Sequence, residues 1–90
     1  LFVLSVSGGN EKKKASMALV KAIDYAKDQG GMVLGIVGMP YSHTQTRGDE
    51  VIVTPTPAKY NTGIAEALQA VIWHGIVNDP KLVVNEAKWK

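Results

Sequence analysis

Ninety residues with 46% hydrophobic content, few aromatics and a net charge of +2 describe one small globular domain. No apolar run reaches the roughly 18 residues of a membrane span, no signal peptide is visible, and so small a positive balance does not specify nucleic acid. The absence of cysteine excludes a disulfide scaffold and any thiolate metal site, and it fits a cytoplasmic protein.

Leu1 to Val6 is an apolar run of the kind covered on both faces of a parallel sheet. A Ser/Gly turn follows, and then a helical pattern from Glu11 to Gln29 with Ala15, Ala18, Leu19, Ala22, Ile23 and Ala26 at helical spacing. Gly30-Gly31 ends that helix, because glycine tolerates the left-handed cap best. Met32 to Val37 is a second buried strand, closed by Gly38, Met39 and Pro40. Residues 41 to 49 are polar and without period, which predicts a loop with at most one helical turn. Glu50 to Thr54 is a third strand, stopped by Pro55 and Pro57. Asn61 or Thr62 caps a last helix from about Gly63 to Asn78, and Asp79-Pro80 terminates it. Lys81 to Lys90 is a polar tail around Val83, Val84 and Trp89.

Apolar strands alternating with helices predict a parallel sheet, order 1-2-3, with right-handed crossovers and helices on both faces: a three-layer α/β/α architecture. Two long helices cover three strands poorly. The last helix is also apolar on most sides, since Ala67 to Val77 is broken only by Gln69, His74 and Gly75, and such a helix is expected to be buried on most sides. The chain, residues 1–90, therefore reads as the later part of a larger α/β domain. The last helix is expected to pack against the remainder, a second subunit, or both.

Ser5, Ser7, Gly8, Gly9 and Asn10 lie where a strand's carboxyl end meets a helix start, the crevice in which open α/β sheets bind ligands. Glycines admit close backbone approach, the first helical amides point outward, and serine hydroxyls add donors, a combination suited to a phosphate monoester. There is no GxxxxGK[ST] and no GxGxxG. A plain βα turn using Ser and Gly for geometry is the other reading. Lys12, Lys13 and Lys14 follow directly. They are either a solvated helix start or partners for an anion held in the turn, since cations there oppose the helix dipole.

In the last helix Glu66 precedes His74 by eight residues, an advance of about 12 Å and a rotation of roughly 80°. The two side chains cannot bond directly but can converge on one substrate or metal. His74 is thus either a satisfied core histidine or a proton carrier, and Glu66 either a first-turn acid or a lining residue. His43 reads as an exposed loop residue, and Trp73 as core or interface packing.

The segments LSVSGGN, AIDYAKDQG and VLGIVG, continued by VIVTP and AEALQAVIWHGIV, resemble the SIS (sugar isomerase) family, in particular its phosphoheptose isomerase branch. The resemblance covers nearly all of the chain. It implies a flavodoxin-like Rossmann-type SIS domain of which the last three strands are present, with the missing earlier part carrying a catalytic Glu. It also implies a sugar phosphate held by Ser5, Ser7, Gly8, Gly9 and Asn10, catalysis by His74 with Glu66, and a zinc site at Glu66 and His74. The activity implied is aldose–ketose isomerisation of a phosphate such as sedoheptulose 7-phosphate through an enediol, in a cytoplasmic homotetramer or dimer with neither nucleic-acid nor membrane partner. Val6 and Asn10 depart from the hydroxyl residues usual in the family's turn, which reduces the donors and points to a different ligand. The alternative is a non-catalytic SIS module that binds a sugar phosphate and regulates a partner. A phosphoacceptor receiver domain is excluded, because none of the strands ends in an Asp.

Overall fold

The computed structural model of the chain describes residues 1–57 and 61–85. Three strands, β1 (Phe2–Ser5), β2 (Leu34–Val37) and β3 (Glu50–Val53), alternate with three helices, α1 (Met17–Asp28), α2 (His43–Arg47) and α3 (Asn61–Val77). The sheet has the order β1-β2-β3 with both pairs parallel, as the apolar strand pattern predicts. Trp89 and the end of the polar tail lie outside the described residues.

The register divides the sheet into two faces. Val3, Gly35 and Val51 stand abreast, as do Ser5, Val37 and Val53. This face carries the core, in which Val3, Val33 and Val37 meet Ile23 of α1, with Leu19 and Ala26 packed beside them. Helix α2 sits close above the same face, because Gly35 leaves room for it. A Cβ there would lie 2.8 Å from Thr44 Cγ2, and Thr44 is fully buried.

The opposite face is formed by Phe2, Leu34 and Glu50 in one rank and Leu4, Ile36 and Ile52 in the next. Helix α3 covers its middle. Ala65 and Gln69, one turn apart, are the helix's buried residues. The Gln69 amide donates from Nε2 to the carbonyls of Ser5 and Ile36, each at 3.0 Å, so a polar side chain ties the helix across two strands. Ile36 beneath it is buried, whereas Phe2, Leu4 and Ile52 remain about half exposed. A shallow apolar trough of about 260 Å³ runs over Phe2, Leu34, Ile36, Ile52 and Ile76. The apolar character of α3 therefore exceeds what the sheet covers, and Val71 and Val77 face solvent.

The first helix begins six residues later than its apolar spacing suggests. Asn10 and Ala15 exchange backbone hydrogen bonds of 2.9 Å in both directions, and Asn10 Oδ1 accepts from the Lys13 amide at 2.9 Å. An asparagine side chain that captures a nearby amide offers the backbone a turn in place of a helix. Lys14 and Ser16 take left-handed conformations to complete it, φ 52° in each. Lys12, Lys13 and Lys14 consequently lie in an exposed hairpin-like turn before α1.

Candidate functional site at the carboxyl ends of β1 and β2

The β1–α1 turn is held by its own hydroxyls. The Gly8 amide donates to Ser5 Oγ at 3.0 Å and the Gly9 amide to Ser7 Oγ at 3.2 Å. Ser7 Oγ also shares a hydrogen bond of 2.9 Å with Ser16 Oγ, at the start of α1. Gly8 has φ +70°, and a Cβ there would lie 2.4 Å from Ser42 Oγ, so the position admits glycine alone without rearrangement.

The other side of the turn is gripped by α2. The Thr44 amide and hydroxyl both donate to the Gly8 carbonyl, at 3.0 and 2.7 Å, and the His43 amide donates to the Gly9 carbonyl at 2.8 Å. Ser42 caps α2 by accepting from the Gln45 amide at 3.2 Å. Gln45 Oε1 in turn accepts from the Tyr41 amide at 2.6 Å, which holds Tyr41 at a left-handed φ of 58°. The short helix after β2 thus fixes the glycine turn after β1.

Two clefts open beside this assembly. One, of about 360 Å³, is lined by Ser7, Asn10, Lys13, Met39, Tyr41 and Ser42, at the carboxyl ends of β1 and β2. The other, of about 250 Å³, is lined by Asn10, Glu11, Lys12, Tyr41, His43 and Thr46. Asn10 and Tyr41 line both. The first offers a hydroxyl, an amide and an ammonium group in one concavity, a set suited to an anionic or polyhydroxylated ligand.

Of the residues singled out from the sequence, Ser5, Ser7, Gly8, Gly9 and Asn10 come together here. Ser5 and Ser7 presently serve the turn's own amides, and an incoming anion would compete with them for Gly8 and Gly9. Glu66 and His74 are exposed on α3, and the His74 ring stacks on Trp73, with ring centroids 3.8 Å apart and planes 24° apart. No hydrogen bond among the described residues joins either of them to the turn. Nor do the described residues contain a cluster of three or more metal-ligating side chains. The sequence reading did not single out Tyr41 or Ser42, although the S-x-x-Q spacing of Ser42 and Gln45 signals a helix start.

An α/β domain with a glycine turn and a polar cleft at the carboxyl ends of its parallel strands is what the fold and site define. No protein-family model, no curated protein and no solved structure matches the chain. No helix among the described residues is long and apolar enough to cross a membrane.

Proposed function

We infer that the chain binds a phosphorylated small molecule at the β1–α1 turn. The observation that carries this reading is the cleft in which Ser7, Asn10 and Lys13 face Tyr41 and Ser42 at the carboxyl ends of two parallel strands. A sugar phosphate is the ligand that the SIS resemblance implies. The narrower reading is a phosphosugar isomerase of the sedoheptulose 7-phosphate type, with His74 moving a proton through an enediol and Glu66 positioning the substrate or a zinc ion. That reading rests on the sequence resemblance. The second reading, a non-catalytic sugar-phosphate module that regulates a partner, is favoured by the exposure of His74 and Glu66, neither of which hydrogen-bonds the turn.

Calorimetric titration of the chain with inorganic phosphate and with sedoheptulose 7-phosphate tests the binding site. Replacing Ser7 and Lys13 together by Ala is expected to weaken both ligands at least tenfold, since a charge-assisted hydrogen bond contributes about 1.5–3 kcal/mol. Unchanged affinity in the double variant removes the assignment. If the chain also turns over the sugar phosphate, His74→Asn is expected to slow it about 10²–10⁴-fold with binding retained. Normal turnover in that variant makes the regulatory module the better reading.

A further inference from the structure

His43 is not the free loop residue that its polar neighbourhood suggests. Its Nε2 lies 2.7 Å from Asp24 Oδ1, across the packing of α2 on α1, and its side chain is only 15% exposed. Its own amide is bonded to the Gly9 carbonyl, so the imidazole is fixed relative to the glycine turn. With Nε2 given to Asp24, Nδ1 has no partner among the described residues. When Nε2 carries the proton, Nδ1 presents a lone pair, and when both nitrogens carry one, it presents a donor.

His43 lines the smaller cleft, which lies beside the larger one and shares Asn10 and Tyr41 with it. Asn10 accepts from Lys13 through Oδ1, which leaves its NH2 group for a ligand. Tyr41 is 89% exposed and lines both clefts. A molecule anchored by one end near Ser7 and Lys13 and extending across Asn10 would present its other end to His43.

We propose that the Asp24–His43 pair forms the second half of a bipartite ligand site, in which His43 Nδ1 hydrogen-bonds a hydroxyl or carbonyl of a phosphorylated polyhydroxyl compound whose phosphate occupies the cleft of Ser7 and Lys13. Asp24 acts through His43 as a positioning residue, and Tyr41 and Asn10, which line both clefts, border the ligand between its two ends. The proposal rests on the phosphate reading of the turn and adds to it the recognition of the ligand's uncharged end.

Inorganic phosphate carries only the anchoring group, whereas sedoheptulose 7-phosphate and fructose 6-phosphate carry both ends, so the two halves can be measured separately by calorimetry. The sugar phosphates are expected to bind the unaltered chain more tightly than inorganic phosphate does. His43→Gln is expected to weaken the sugar phosphates by about threefold to tenfold, the worth of one hydrogen bond, and to leave inorganic phosphate unchanged. Asp24→Asn, which removes the carboxylate that orients the ring and lies outside the cleft of Ser7 and Lys13, is expected to act in the same sense and decides the matter if His43→Gln does not fold. In the unaltered chain the His43 ring resonances are expected to shift with a sugar phosphate and to stay in place with inorganic phosphate. Variants that lower both ligands equally, or neither, overturn the proposal. Equal affinity of the unaltered chain for phosphate and sugar phosphate overturns it too, while leaving the anion site at the turn intact. Binding of neither ligand removes the anion site, and this proposal with it.

Discussion

Asp49 accepts both from Lys27 Nζ, at 2.9 and 3.0 Å, and from the Val33 amide at 2.7 Å, while its own amide returns a 2.7 Å bond to the Val33 carbonyl. One carboxylate therefore buckles the end of α1 to the starts of β2 and β3. The Lys27 ammonium first, and then the Val33 amide, hold its carboxyl below the ordinary value of 3.8, and partial desolvation offsets a little of this. Because the folded value is the depressed one, the stabilisation is fully present above about pH 3.8 and is lost as the pH falls through the folded value. Urea unfolding across the acid range is expected to show a slope that Asp49→Asn flattens; an unaltered slope in the variant would detach this residue from the acid transition. Such a pairing is invisible in sequence, since Lys27 and Asp49 stand 22 positions apart on different elements. The same holds for His43, which reads as a loop residue until α1 brings Asp24 to it. By contrast, the eight-residue spacing of Glu66 and His74 is legible, but their exposure is not, because a helix apolar on most sides has no stripe to say which side meets the sheet.

At the scale of elements, α3 is oriented by its one buried amide side chain. Gln69 Nε2 satisfies carbonyls on β1 and β2 at once, and a leucine of similar bulk would fill the space while leaving both acceptors without that donor. Gln69→Leu is expected to cost about 1–3 kcal/mol in chemical denaturation. Gln69→Glu is expected to cost more at neutral pH, where an ionised carboxylate faces two carbonyl oxygens and has no proton to donate, and to regain stability as the medium is acidified. A Glu variant as stable as the natural chain at pH 7 would show that these bonds contribute little. The strands and their parallel order follow from runs of apolar residues, and their limits are read to within two residues. The start of α1 is not, because the Ala15-to-Ala26 periodicity extends into residues that Asn10 recruits for a turn. Local side-chain capture outcompetes a helical spacing that has only alanine to support it there. Helix α2, expected as no more than a single turn, forms as that turn because Ser42 and Gln45 supply its start.

For the whole molecule, the two faces of the sheet are unequally covered. Val3, Val37 and their neighbours are sealed by α1 and α2, whereas Phe2, Leu4 and Ile52 stay about half exposed beside an apolar trough. Burial of such side chains contributes about 25 cal/mol per Å² of apolar area, so an open apolar face gives a folded chain an affinity for other apolar surface. The chain is expected to bind a hydrophobic dye at neutral pH without denaturant, and Leu4→Thr with Ile52→Thr to reduce the signal without loss of helical circular dichroism. Dye binding that persists unchanged in the double variant would place the exposed surface elsewhere. The Gln69 tie has a further consequence for the order of assembly. It reaches carbonyls on β1 and β2, 64 and 33 residues away, so it forms whole only after those two strands have paired. Long-range closures cost the most chain entropy before any contact rewards them. The third layer is therefore expected to dock last during folding and to lift first when the native state breathes. Amide protons of α3 are expected to exchange with solvent through a partial opening that leaves the β1–α1–β2 unit closed, which native-state hydrogen exchange measures.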